Sequence, residues 1–192
     1  MVRPGARVLD VGCGEGALLE LLAREKGVDG RGIEISPEGV SACLARGLSV
    51  VQGDADRDLA DYATGAFDYA ILSQTLQAVL RPRHVLGELL RIAGAAIVSL
   101  PNFGHWRARL DLLIGGRMPV TRALPEPWWA SPNLHPCTLA DFTALCEEMG
   151  LSIDARAALT AGKPARPAAP PAALENWRAE AAVFLLSRRG EG

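Results

Sequence analysis

The 192-residue chain is predicted to be an α/β protein: a three-layer arrangement of helices packed on both faces of a seven-stranded parallel sheet. Three observations carry that prediction. Short apolar, β-branched runs alternate with amphipathic stretches of 10–12 residues, the signature of βαβ units with right-handed crossovers. A cluster of glycines closes the first apolar run, where a strand would turn into a helix. Hydrophobic residues make up 49% and charged residues 22%, enough apolar surface for one core and too little charge for a disordered chain. The length fits one domain spanning residues 1–192.

The elements follow in order. Arg7–Val11 is a short buried strand, and Ala17–Lys26 is a helix with Leu18, Leu21 and Leu22 on its inner face and Glu20 four residues before Arg24 on its outer one. Gly32–Ile35 is a second strand. It runs into Ser36-Pro37-Glu38, an N-cap, a first-turn proline and a first-turn acid, and the helix so opened ends at Gly47. Leu48–Gln52 and Phe67–Ser73 are the third and fourth strands. A helix over Pro82–Ile92 turns Val85, Leu86, Leu89 and Leu90 inward, and Ala95–Leu100 is the fifth strand. After a long connection, Thr138-Leu139-Ala140-Asp141 opens a helix with a capping-box pattern; Phe142, Leu145, Cys146 and Met149 face inward and Gly150 closes it. Leu151–Ala155 and Ala182–Ser187 are the last two strands. The Ala/Pro-rich stretch between them, 156–174, reads as a flexible loop.

Composition narrows the function classes. A net charge of −2 removes the bulk electrostatic case for nucleic-acid or membrane binding. The longest stretch free of Asp, Glu, Lys and Arg, Ile92–Trp106, is shorter than the ~18 residues of a membrane span and holds Pro101, Asn102 and His105. Cys13, Cys43, Cys137 and Cys146 show no paired spacing, which with the lack of a signal-peptide core reads as reduced thiols in a cytoplasmic protein. Cys13 reads as a small buried residue rather than a nucleophile. His105, His135 and Cys137 lack the spacing of a zinc site, so no metal is expected.

The strongest local signal is Asp10-Val11-Gly12-Cys13-Gly14-Glu15-Gly16-Ala17. Gly12, Gly14 and Ala17 satisfy the dinucleotide fingerprint, whereas Asp10, Gly12, Gly14 and Gly16 satisfy the pattern of S-adenosylmethionine (SAM) binders. Charge favours the second: Asp10 and Glu15 oppose a pyrophosphate, while Asp10 suits the cationic centres of SAM. Glu34, 22 residues after Gly12 at the end of the second strand, stands where a carboxylate takes ribose hydroxyls, and Asp54 follows the third strand, in reach of an adenine amino group.

With Phe67-Asp68-Tyr69-Ala70-Ile71-Leu72, these residues resemble the Rossmann-like class I SAM-dependent methyltransferase fold. Within it, three segments resemble the methionine-biosynthesis MetW family: Ile71-Leu72-Ser73-Gln74-Thr75-Leu76-Gln77-Ala78, Pro101-Asn102-Phe103-Gly104-His105-Trp106, and Pro132-Asn133-Leu134-His135-Pro136-Cys137-Thr138 through Asp141-Phe142. The resemblance spans about residues 5–188. It implies a SAM or S-adenosylhomocysteine site formed by Asp10, Gly12, Cys13, Gly14, Gly16, Glu34, Ile35, Asp54, Ala55, Ser73 and Gln74, with no catalytic residue assigned. It also implies association with homoserine O-acyltransferase, whose activity the protein would support; the alternative is a methyltransferase for a small acceptor. Two departures from the family are a short segment ahead of the first strand and the Ala/Pro-rich stretch.

The connection 101–137 holds three of the four tryptophans and six of the thirteen prolines, too long for an idle loop. Trp106 with Arg107, Arg109, Arg117 and Arg122 reads in three ways: a single-stranded nucleic-acid surface, a protein interface, or a lid helix with Trp106, Leu110 and Leu113 packed down. Nucleic acid is the least favoured, and the connection is expected to serve as lid or interface. His105 and His135 each read as ordering their own loop.

Overall fold

The structure, a computed structural model, describes residues 1–132, 134–160, 163–164 and 173–190. Its strands are β1 (Arg7–Val11), β2 (Asp29–Glu34), β3 (Ser49–Gln52), β4 (Phe67–Ser73), β5 (Ala93–Pro101), β6 (Leu151–Thr160), β7 (Lys163–Pro164) and β8 (Ala181–Arg188). The helices are α1 (Ala17–Lys26), α2 (Pro37–Ala45), α3 (Pro82–Ile92), α4 (Trp106–Gly115), α5 (Leu139–Glu148) and α6 (Ala173–Arg178), with a 3-10 turn at Asp58–Asp61. One sheet runs in the order β3-β2-β1-β4-β5-β8-β6-β7.

β1 to β5 are parallel, as the βαβ rhythm requires, and β1 and β4 flank the point where strand order reverses. The expected parallel sheet is corrected at its far edge, where β8 inserts between β5 and β6 antiparallel to both. A parallel partner needs a crossover that carries the chain back to its starting end; β8 instead returns alongside β6 in the opposite direction. β7, two residues paired with Leu159 and Thr160, is an eighth strand beyond the seven expected.

Both faces of the sheet are buried, and period-two alternation sorts the side chains. Leu9, Ala70, Leu72, Ala96 and Val98 join one cluster with Leu86, Leu89 and Phe142; Val8, Tyr69, Ile71 and Ile97 join another with Leu18 and Leu22 of α1. Leu9 opposes Ala70 and Val11 opposes Leu72, so register places like with like. The Phe142 and Phe184 rings, 4.7 Å apart, tie α5 to β8.

The caps behave as their residues dictate. Ser36 accepts from the Gly39 N–H at 3.1 Å, with Pro37 in the first turn of α2. Thr138 and Asp141 form a reciprocal capping box on α5. All four inward positions expected on α3 are buried. On α1 the expectation for Leu21 is corrected: it is exposed, and Leu19 is the buried residue, because α1 also packs sideways against Cys43 of α2 and Val50 of β3. The flexible reading of 156–174 is corrected at both ends. β6 continues to Thr160 on a ladder of bonds to β8, and residues 173–178 are helical; 161–162 and 165–172 lie outside the described residues. Tertiary pairing overrides an Ala-rich composition there.

Candidate functional site

The carboxyl ends of β1, β2 and β3 open into a cavity of about 230 Å³ lined by Val11, Gly12, Ile33, Ile35, Gly53, Asp54, Ala55, Asp56, Thr75, Ala78, Val79 and Leu80. Four of the residues singled out in the sequence therefore line it: Gly12, Ile35, Asp54 and Ala55. Ile35 leaves 65% of its surface exposed just past β2, a flat apolar platform at the cavity mouth.

The glycine turn is shaped by close approach. Gly12 has φ +71°, and a Cβ there would come within 2.7 Å of the Thr75 hydroxyl; at Gly16, φ +80°, it would meet Leu48 at 2.3 Å. A side chain at either position would clash with its neighbour and strain the left-handed backbone. Gly14 (φ +55°) turns its N–H onto Glu34 Oε2 at 2.7 Å, while Ser36 N–H donates to Oε1 at 2.9 Å. Glu34 is thus buried and oriented by two backbone donors, and Gly39 is the residue that lets α2 pass close to it, since a Cβ there would lie 2.9 Å from Glu34 Cγ.

Asp10 is the electrostatic centre of the region. Its side chain is 1% exposed, and its Oδ1 has no hydrogen-bond partner. Burial, and then the charge on Glu34, push its carboxyl up to about 7. Cys13 turns away from the cavity: its Sγ sits where a Gly32 Cβ would be and 4.0 Å from Cys43 Sγ. Burial first, then Cys43, raise the Cys13 thiol far above its usual range, as befits a packing residue rather than a nucleophile.

Asp54 is held by local turn chemistry, accepting from Asp56 N–H at 2.9 Å, while its own N–H donates to Asp58 Oδ2 at 2.7 Å. Ser73 and Gln74 lie outside the cavity lining, at the ends of β4 and β5. The Ser73 and Ser99 hydroxyls are 3.2 Å apart, and Gln74 adopts φ 57°, a left-handed conformation for a non-glycine residue, pinned by its N–H to Ser99 O and Oγ.

Sequence reasoning missed three contributors. Thr75 closes over Gly12; its signal was only its place two residues past β4. Asp56, 5% exposed, takes the N–H groups of Leu80 (2.7 Å) and Arg81 (2.8 Å), so it fastens the cavity wall to the start of α3; an acid followed by an acid two residues later was the available hint. Gln77 is fully buried, with its carbonyl accepting from Leu134 N–H (2.7 Å) and His135 N–H (3.0 Å).

The connection 101–137 contrasts with this closed region. α4 buries only Ala108; Leu113 and Ile114 are 82% and 80% exposed, and Trp128 and Trp129 stand out in an edge-to-face pair. The packed-down lid reading is corrected by Leu110 and Leu113, both exposed. His105 orders its own loop: its Nδ1 caps α4 by accepting from Arg107 N–H, and burial lowers its pKa. His135 stands exposed, and its N–H to Gln77 anchors the far end of the connection. Among the described residues no three His, Cys, Asp or Glu side chains converge as a metal site, and no helix is long and apolar enough to cross a membrane.

Comparison with known proteins places this architecture. Solved structures similar to it include a SAM-dependent methyltransferase of Thermotoga maritima, at a TM-score of 0.69 and 16% identity over 98% of this chain and 84% of that one. The fold is therefore that of class I SAM-dependent methyltransferases. A ubiquinone biosynthesis O-methyltransferase of Xanthomonas oryzae pv. oryzae is 36% identical over 130 residues, 64% of this chain and 53% of that protein. A bifunctional methionine biosynthesis protein MetXA/MetW of Rhodopirellula baltica is 32% identical over 163 residues, 80% of this chain; the match spans 26% of that longer protein. The sequence model of methionine biosynthesis protein MetW matches residues 1–186, and the chain belongs to the MetW family.

Proposed function

We propose that this chain binds SAM or S-adenosylhomocysteine at the carboxyl ends of β1–β4 and supports a homoserine O-acyltransferase, which it meets through 101–137. The observation that carries the cofactor reading is the partnerless Oδ1 of buried Asp10 beside a glycine turn in which Gly12 and Gly16 leave no room for a Cβ. A buried acid without a donor, next to a second acid, suits a cationic ligand and opposes a phosphate. The residues therefore fit the group that the fold family uses.

In this reading Asp10 and the turn of Gly12, Cys13, Gly14 and Gly16 face the cationic amino-acid portion. Glu34 offers its remaining lone pairs to the ribose, Ile35 and Ala55 pack on the purine, Asp54 accepts from its amino group, and Ser73 and Gln74 border the sulfonium. Bound SAM supplies an electrophilic methyl group. The chain's own part is to orient the ligand and exclude water, since Ser73, Gln74, Ser99 and Asn102 at the ends of β4 and β5 offer no group that titrates near neutrality.

The partner reading is supported by the fused relative, in which a MetW region is continuous with a MetXA region, and by the exposed Leu113, Ile114, Trp128 and Trp129. Trp and Arg are enriched at protein interfaces, and Arg107, Arg109, Arg117 and Arg122 are exposed along the same connection. The second reading, methyl transfer to a small acceptor, is favoured by the similarity to O-methyltransferases.

Calorimetric titration with SAM tests the site. Asp10→Asn and Glu34→Ala should each weaken binding roughly 10–150-fold, the worth of a charged hydrogen bond of about 1.5–3 kcal/mol; unchanged affinity in both overturns it. Acyltransferase activity measured with and without the chain tests the partnership. Acceptor-dependent formation of S-adenosylhomocysteine would favour the second reading.

A further inference from the structure

Residues 74–81 form a strap with different neighbours on its two sides. Thr75, Ala78, Val79 and Leu80 line the 230 Å³ cavity. Leu76 and Gln77 face the other way, into a separate cavity of about 340 Å³ that also borders His135, Cys137 and Phe142. The strap is fixed at both ends, by Gln74 N–H to Ser99 and by Leu80 and Arg81 N–H to Asp56. Its middle is held by Leu76 and Val79, buried in the core, and by the hydrogen bonds of Gln77.

Gln77 helps to hold the returning leg of the connection, alongside the Phe103 N–H that donates to Cys137 O at 3.1 Å. The Gln77 carbonyl accepts from Leu134 and His135 N–H, and its Nε2 donates to Cys137 Sγ (3.1 Å) and Pro101 O (3.4 Å), so it touches both the departing and returning chain. The departing leg is tied independently: Asn102 Nδ2 donates to Asn176 O and Ala179 O, and its Oδ1 accepts from Gly104 and Leu139 N–H. A shift of the strap therefore bears directly on the Leu134 and His135 amides, whereas the Gly104 and Leu139 amides are held by Asn102.

Two further features point to a second arrangement. Gln77 Oε1 is buried with no partner, an unsatisfied group that a different position of the side chain relieves. The empty volume behind Leu76 and Gln77 gives the strap room that a close-packed interior would deny.

We propose that Gln77 is a positioning residue coupling the cofactor cavity to the docking surface, so that the acyltransferase partner reads whether the cavity is filled. The proposal rests on the function proposed above. A ligand in the cavity presses on Thr75, Ala78 and Val79; the strap shifts toward the second cavity; Gln77 moves with it, its main-chain carbonyl drawing Leu134 and His135 and its Nε2 drawing Cys137, which re-aims the connection that carries Trp128 and Trp129. Coupling of this kind is reciprocal: SAM changes partner affinity by the factor by which the partner changes SAM affinity.

The experiment has two arms on the full chain. In the first, without partner, hydrogen exchange at the Leu134 and His135 amides should change at least threefold on adding SAM or S-adenosylhomocysteine, while the Gly104 and Leu139 amides held by Asn102 stay unchanged. In the second, the dissociation constant for purified homoserine O-acyltransferase is measured with and without saturating SAM; a change of fivefold or more is expected, equal to the change in SAM affinity on adding the partner. Gln77→Leu and Gln77→Ala, which keep the main-chain carbonyl and remove the Nε2 bonds to Cys137 and Pro101, should bring that factor below about twofold. A factor of one in the unmodified chain, unaltered exchange at Leu134 and His135 on SAM binding, or an intact factor in a folded Gln77→Leu chain overturns the proposal. Failure of SAM or the acyltransferase to bind at all instead overturns the function on which it rests.

Discussion

The two ends of this chain's functional surface are built on opposite principles. At the carboxyl ends of β1–β3, charged groups are buried and backbone is tightly folded: Asp10, Glu34 and Asp56 are all enclosed, and Gly12 and Gly16 allow contacts that no other residue would permit. Across 106–132, apolar side chains are exposed: Leu113, Ile114, Trp128 and Trp129 stand in solvent, and α4 keeps only Ala108 inside. A protein buries charge where a small polar ligand will complete the bonding, and exposes apolar surface where a large partner will cover it. The strap 74–81 lines the first region and, through Gln77, bonds both ends of the connection that carries the second.

The comparison is broken hardest by deleting the same side chain in each regime. Leu89→Ala in the core beneath the strands should cost about 2–5 kcal/mol by lost burial and a residual cavity, whereas Leu113→Ala on α4 should stay within about 0.5 kcal/mol, both measured by urea unfolding. Equal losses would mean that α4 contributes to the core.

Next in size is the buried acid. Asp10, raised from 3.8 to about 7, keeps its proton when folded and would release it when unfolded, so its contribution to stability is full below about pH 4 and is lost as pH rises through 7. Asp10→Asn should remove that slope and recover, by linkage, roughly 4 kcal/mol at most at pH 8. The same titration sharpens the ligand reading: SAM should bind unmodified chain up to about tenfold more tightly at pH 8 than at pH 6, releasing a proton, and Asp10→Asn should flatten this. The smallest effect belongs to the root of the connection: Thr138→Ala should remove the α5 cap for about 1 kcal/mol, read as a lowered unfolding midpoint.

Much of the first regime was readable from local chemistry. Gly12, Gly14 and Gly16 sit at a strand-to-helix turn, Ser36-Pro37 starts a helix, and Thr138 with Asp141 caps another; each is decided within four residues, so the sequence contains the whole cause. Leu21 was misread and Leu19 overlooked because a helix that packs against both a sheet and a neighbouring helix buries a wider face than one periodic stripe shows. Thr75, Asp56 and Gln77 act on residues 24 to 63 positions away, and no short-range pattern announces such partners.

By itself, the sequence determined the alternation of strands and helices, the glycine turn, the acids that follow β1, β2 and β3, and the family to which these belong. Those features arise from local backbone preference and from the order of elements, both written along the chain. The tertiary structure decided that β8 runs antiparallel, that 156–160 is strand, that Asp10 is sealed off with its pKa raised, and that Gln77 borders a second cavity behind the strap. Each of these is a matter of what lies beside a residue rather than before or after it: ladder bonds, desolvation and empty volume exist only once distant segments meet.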